Sequence, residues 1–163
     1  MLVLGIDPGT ATTGYGLVRE DDTGRLFAVD FGVVRSPAQD TMPQRLLQIY
    51  HQIQEIVSLH RPDSSAVEKL FFQSNVRTAM SVGQARGVAL LALAEAQIPV
   101  AEYTPLEVKQ AVVGYGNADK KQIQQMIRAL LGLEDIPKPD DAADALAVAI
   151  CHLHSYRLAN LQE

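Results

Sequence analysis

Asp7, Glu68, Asp141 and Asp144 are the residues whose type and setting could do chemistry. Asp7 follows Leu2-Val3-Leu4-Gly5-Ile6, a run whose β-branched and Leu content suits a buried strand, and Pro8-Gly9-Thr10 then breaks the pattern as a turn. A carboxylate where a central strand leaves the core is costly to bury unless something positive meets it. Asp before Pro-Gly is also an ordinary turn former, so the argument turns on whether other acids converge there. Glu68 stands near the end of a second short strand, Ser64 to Leu70. Asp141 and Asp144 lie three apart on a last helix, so both can face one point. Asp140 competes with Asp141. At about 100° per residue, Asp141 falls roughly 60° from Asp144 and Asp140 roughly 40° from it on the other side, so helix geometry leaves the choice open. The helix dipole alone would favour acids in a first turn, but Asp144 interrupts an Ala-rich apolar run. Four carboxylates at one point cannot all stay ionised without a counter-charge. Hard oxygen ligands with no His or Cys set nearby select Mg²⁺ or Mn²⁺, and two such ions suit phosphodiester hydrolysis.

The elements that must position these groups read as three strands, helix, strand, helix, strand, helices. Leu2 to Asp7, Gly14 to Arg19 and Arg25 to Arg35 make an antiparallel meander, the last two joined by the polar loop Glu20 to Gly24. Gly9, Gly14 and Gly16 are expected to leave open space around the first strand end for backbone or phosphate. Pro43 to Leu59 is helical, with Thr41 as a cap and Leu46, Leu47, Tyr50, Ile53 and Val57 at core spacing. A long helix from Asn75 to Ala96 carries Ala79, Gly83 and Gly87 in one row, where a second backbone could approach. Pro99 to Tyr103 is a strand, and Thr104-Pro105 opens a helix to Val113. Asp119 or Asn117 caps a helix to Leu131, and a final helix runs from about Asp140 to Arg157 with Leu146, Ile150 and Leu153 inward. The fold class is α/β, a mixed sheet with helices on its faces.

The 163 residues suit one domain, and 47% hydrophobic with 20% charged is ordinary for a globular protein. Cys151, the one cysteine, excludes an internal disulfide and reads as a small core residue, which fits a cytoplasmic setting. The N-terminal apolar run is too short for a signal peptide, and no apolar run reaches membrane-spanning length. His51, His60, His152 and His154 show no metal-like spacing and remain unassigned. Net charge is −5, yet between Lys69 and Lys121 six basic residues (Lys69, Arg77, Arg86, Lys109, Lys120, Lys121) face four acidic ones. A local basic strip matters more than overall charge for contact with a nucleic-acid backbone.

Several motifs in order make the chain resemble the RuvC family of bacterial Holliday-junction resolvases, nucleases of RNase H-like fold. They are Gly5-Ile6-Asp7-Pro8-Gly9 with Thr13-Gly14-Tyr15-Gly16, Glu68 followed by Phe71, Gly83-Gln84-Ala85-Arg86-Gly87, Val108-Lys109-Gln110 before Val113-Gly114, and Asp141-Ala142-Ala143-Asp144-Ala145-Leu146-Ala147. The resemblance covers almost the full length. It implies a five-stranded mixed sheet, three strands antiparallel and two parallel, in a single nuclease domain over residues 1–163 with a flexible tail at the end. It implies a cytoplasmic homodimer that resolves four-way DNA junctions in recombination and repair by paired symmetric nicks, leaving 5′-phosphate and 3′-hydroxyl ends. Asp7, Glu68, Asp141 and Asp144 would hold two Mg²⁺ ions per subunit, with Mn²⁺ able to substitute. Phe71 would meet bases, while Lys109 and Lys120, with Arg77 and Lys121 of the basic strip, would lie on the DNA. Gly83 and Gly87 would lie at or near the dimer interface, and the RuvA and RuvB branch-migration proteins would be partners. The chain departs from the family pattern by Asp140 directly before Asp141 and Lys121 directly after Lys120.

Two other readings compete. Gly5-Ile6-Asp7-Pro8-Gly9-Thr10 also resembles the phosphate loop of the sugar-kinase, actin and chaperone ATPases. Those need a second Gly-rich loop and a second lobe, and the chain is too short for two lobes. A junction-binding module without catalysis would have no need to keep every acidic position. ATP-dependent stabilisation would favour the first alternative, and Mg²⁺-dependent nicking would exclude the second.

Overall fold

The computed structural model describes residues 1–69 and 76–162. Its element order is β1 (Leu2–Asp7), β2 (Thr12–Glu20), β3 (Leu26–Arg35), α1 (Met42–His60), β4 (Ser64–Glu68), α2 (Val76–Glu95), β5 (Val100–Tyr103), α3 (Pro105–Val113), α4 (Lys120–Leu131) and α5 (Asp140–Asn160). One five-stranded sheet has the order β3-β2-β1-β4-β5. β1, β2 and β3 pair antiparallel, while β1–β4 and β4–β5 pair parallel. This is the mixed sheet anticipated above, with Asp7 on its central strand.

β1 is buried on both faces, which explains its continuous apolar run. Leu2, Leu4 and Ile6 pack with α1 and α2, whereas Val3 packs with α3, α4 and α5. α5 is the central helix of that second layer, buried almost continuously from Ala142 to Leu153, well beyond the three-residue stripe read from sequence. Its many alanines keep it thin enough to lie close to the sheet. On α1, Leu46 and Tyr50 pack partly buried against the core as expected, and Leu47 alone needs correction. Leu47 is 54% exposed, and the buried residues are Ile49, Ile53 and Val57.

The helices that carry lysines are capped where the sequence placed caps. Thr104 Oγ1 accepts from Glu107 N–H at 3.1 Å and the Glu107 carboxylate accepts from Thr104 N–H at 2.7 Å. Asp119, and not Asn117, accepts from Gln122 N–H at 2.8 Å. No helix among the described residues is long and apolar enough to cross a membrane.

Candidate active site

Side chains alternate along a strand. Val3 packs towards α5 and a side chain at Gly5 would collide with it, so Asp7 continues the same face. β4 repeats the alternation, with Ala66 in the α5 layer and Val67 in the other, which sets Glu68 on the face of Asp7. Ile6 pairs with Val67 in the parallel ladder, so the two acids end neighbouring strands side by side.

α5 brings the remaining acids. A Cβ at Gly5 would overlap the Ala145 carbonyl oxygen, and one at Gly14 would overlap the Asp141 carbonyl oxygen. At Gly16 an added Cβ would lie 2.8 Å from the Leu146 side chain. The space anticipated around the strand end is therefore taken at Gly14 and Gly16 by α5, with no room there for phosphate. That close packing is what delivers Asp141 and Asp144. One oxygen each from Asp7, Asp141 and Asp144 lies within 4.8 Å of the others.

The electrostatics follow from that crowding. Burial, then the charges of Asp144, Glu68 and Asp141, push the Asp7 carboxyl up to about 8, with Lys120 pulling the other way. Glu68 is raised by burial and by Asp144, and eased by Lys109 on α3. Burial raises Asp144 as well, against the opposing charge of Lys120. A cluster of hard oxygen donors that is this hard to ionise unaided suits a divalent cation. Lys120 Nζ sits at its rim, 3.1 Å from Asp140 and 3.8 Å from Asp144.

Asp140 stands apart from the three clustered aspartates. Its carboxylate takes the Lys120 ammonium and a 3.2 Å hydrogen bond from Gln124, and Lys120 holds it below the usual carboxylate range. The N-cap of α5 is Pro139, so Asp140 is not the cap but an exposed first-turn acid that anchors a lysine.

The other anticipated residues are dispersed. Phe71 lies outside the described residues. Arg77 is exposed in the first turn of α2, and Lys109 is half-buried on α3. Lys121 is exposed and borders a groove with Tyr115 and Met126. Gly83 and Gly87 lie on α2, and nothing comes within 4 Å of a Cβ at Gly87. Val76, Met80 and Leu91, spaced along the same helix, are exposed apolar residues. Arg86 leaves the basic strip, because its guanidinium pairs with Glu102 at 2.5 Å.

Sequence reasoning missed the setting of His152, which is buried between Ser64 Oγ (2.9 Å) and Tyr103 Oη (2.8 Å) and ties α5 to β4 and β5. It also missed Arg45 and Thr10, which line a cavity beside Asp141. No spacing signal marks either set, since each joins segments far apart in the chain.

The family model described as "Crossover junction endodeoxyribonuclease RuvC" matches residues 3–152. The protein of that name from Desulfitobacterium hafniense (strain DSM 10664 / DCB-2) is 63% identical over 160 residues, 98% of this chain and 96% of its own. The Thermus thermophilus RuvC structure superposes with a TM-score of 0.91 at 37% identity, covering 98% of this chain and 97% of that one. The structure of T. thermophilus RuvC in complex with Holliday junction substrate gives 0.89 at 35% identity, covering 97% and 96%.

Proposed function

The chain belongs to the RuvC family of crossover junction endodeoxyribonucleases, and from that premise we propose that Asp7, Glu68, Asp141 and Asp144 are its catalytic metal ligands. The observation that carries this reading is the convergence of Asp7, Asp141 and Asp144 within 4.8 Å, with Asp7 pushed up to about 8. The protein is an RNase H-like nuclease, and its substrate is a four-way DNA junction. The ions are two Mg²⁺ per subunit, replaceable by Mn²⁺. When bound, they supply an acidified water for attack and charge neutralisation at the phosphoryl and leaving oxygens.

The chain's own residues do the rest. Asp7, between Glu68 and α5, would hold metal together with the acids on either side of it. Lys120 holds positive charge at the rim of the cluster, where the scissile phosphate must arrive, and Lys109 does so beside Glu68. Phe71, Arg77 and Lys121 extend the DNA contact. Hydrolysis leaves a 5′-phosphate on the downstream end of each nick and a 3′-hydroxyl on the upstream end, so the ends can be ligated.

Two nicks across a symmetric junction call for two active sites related by a two-fold axis. The exposed α2 row with Gly83 and Gly87 supports a homodimer interface there. This reading takes residues 1–163 as one nuclease domain working in the cytoplasm, with RuvA and RuvB as branch-migration partners.

A labelled synthetic junction tests the function. With Mg²⁺ the protein should release two nicked duplexes that ligase reseals, and none in EDTA. Products that cannot be religated, or equal activity in EDTA, would overturn it.

A further inference from the structure

Beside the carboxylates lies a cavity of about 480 Å³ that none of the roles above uses. Thr10 and Thr12 line it from the β1–β2 turn, Arg45 from α1, Thr78 and Ser81 from the start of α2, and Asp141 from α5. Apart from Asp141, the polar residues that line it are four bearing hydroxyls and one arginine.

The cavity is held in shape by its own hydrogen bonds. Buried Ser36 donates through Oγ to the Thr10 carbonyl at 2.6 Å and accepts from Arg45 Nε at 2.9 Å. Thr13 clamps the turn, donating to the Gly9 carbonyl at 2.6 Å and accepting from Gly9 N–H at 3.2 Å. These contacts fix one edge of the Arg45 guanidinium. Among the described residues Arg45 forms no ion pair with a carboxylate. Thr10 Oγ1 is buried and has no hydrogen-bond partner. An unpaired buried hydroxyl destabilises the protein that carries it, and a cavity oxygen that met it after a small rotation of the Thr10 side chain would relieve that cost.

A fixed guanidinium among hydroxyl donors is chemistry that recognises phosphate oxygens. Asp141 forms the wall shared with the carboxylate cluster, so a strand whose scissile phosphate sits at the cluster can place a neighbouring phosphate here. We propose that this cavity is a subsite for a backbone phosphate of the cut strand adjacent to the scissile one, bound by Arg45 and Thr10. The proposal rests on the nuclease reading above.

The test measures junction binding in EDTA, where no cleavage is needed. Single methylphosphonates, each removing one backbone charge, are placed at successive positions around both cut sites. Wild type should lose about tenfold in affinity at one flanking position. Arg45→Gln should lose a similar factor on the unmodified junction and be indifferent to that one replacement. Its dependence of log affinity on log salt should also flatten by about one phosphate contact.

Thr10→Val is an independent arm, should loss of the Ser36 contact unfold the Gln variant. It removes the unpaired hydroxyl and keeps the shape, so the free protein should melt no lower than wild type while junction affinity falls about threefold. Arg45→Gln responding to every methylphosphonate as wild type does would overturn the subsite. So would Thr10→Val with unchanged affinity. Wild type that binds no four-way junction would bring down the nuclease reading itself, and the proposal with it.

Discussion

In the metal-free protein at pH 7 the Asp7 carboxyl keeps its proton, because burial and the charges of Asp144, Glu68 and Asp141 push it up to about 8. In the unfolded chain the same group ionises near its ordinary value of about 3.9. Between those values the native state binds more protons than the unfolded one, so this contribution to stability is full at low pH and is lost as pH rises through 8. Glu68 and Asp144, also raised, act with the same sign. Melting in EDTA should therefore occur at lower temperature near pH 8.5 than near pH 5, and Asp7→Asn should flatten that decline. Mg²⁺, which binds the ionised carboxylates, should stabilise most at the alkaline end. A wild type that melts progressively higher in EDTA over this range would contradict the raised carboxylates. The neighbouring acids separate by role. Asparagine at Asp140 loses only an exposed ion pair, a contact of about 0–1 kcal/mol, so nicking should stay within a few-fold of wild type. Asp141→Asn should lower it by on the order of 100-fold, or about 2.7 kcal/mol of transition-state stabilisation. Both variants, assayed on one junction at one Mg²⁺ concentration, settle this, and the reverse ranking would hand the ligand role to Asp140.

The elements hold the site through one close contact, α5 against β1 and β2. Asp141 and Asp144 are delivered to Asp7 only because Gly5 and Gly14 let the α5 backbone touch the sheet. Gly14→Ala should push α5 away at the first turn, costing about 1–3 kcal/mol in stability as overpacking does. It should also weaken Mg²⁺ binding beyond what the lower melting temperature explains. Unchanged Mg²⁺ affinity in a destabilised Gly14→Ala protein would mean the acids do not depend on that contact. The strands and caps were legible in the sequence, because β1 is a continuous apolar run ending in Asp7 and Thr104 and Asp119 follow local capping chemistry. What occupies the glycines was not. A glycine in a strand announces a close approach without saying what approaches, and the partner here lies well over 100 residues away. Leu47 was misread for a similar reason. Its spacing fits a core stripe as well as that of Ile49 does, and only the placement of α2 and the sheet rotates the buried face onto Ile49.

For the whole molecule, the protomer leaves α2 with exposed Val76, Met80 and Leu91 and with empty space over Gly87. Filling that space should cost the protomer nothing sterically, and Leu is favoured over Gly in a helix by about 1 kcal/mol. Gly87→Leu should thus keep or raise protomer stability while weakening the dimer and, with it, paired cutting. Sedimentation at micromolar concentration checks this, and a wild type that is monomeric there would remove the interface. The net charge of −5 gave no hint of a nucleic-acid partner, because the acids gathered around Asp7 count against the lysines near them. The convergence of Asp7, Asp141 and Asp144 was legible only as a strand end and a helix start; the fold brings those three within 4.8 Å, with Glu68 ending the neighbouring strand. Asp7→Asn puts the central claim to its most direct test, since it keeps the shape and removes the charge shared by every other acid in the site. Measured on a synthetic four-way junction with saturating Mg²⁺, the purified variant should bind with near wild-type affinity and leave the junction uncut. Substantial Mg²⁺-dependent nicking by that variant would contradict the account.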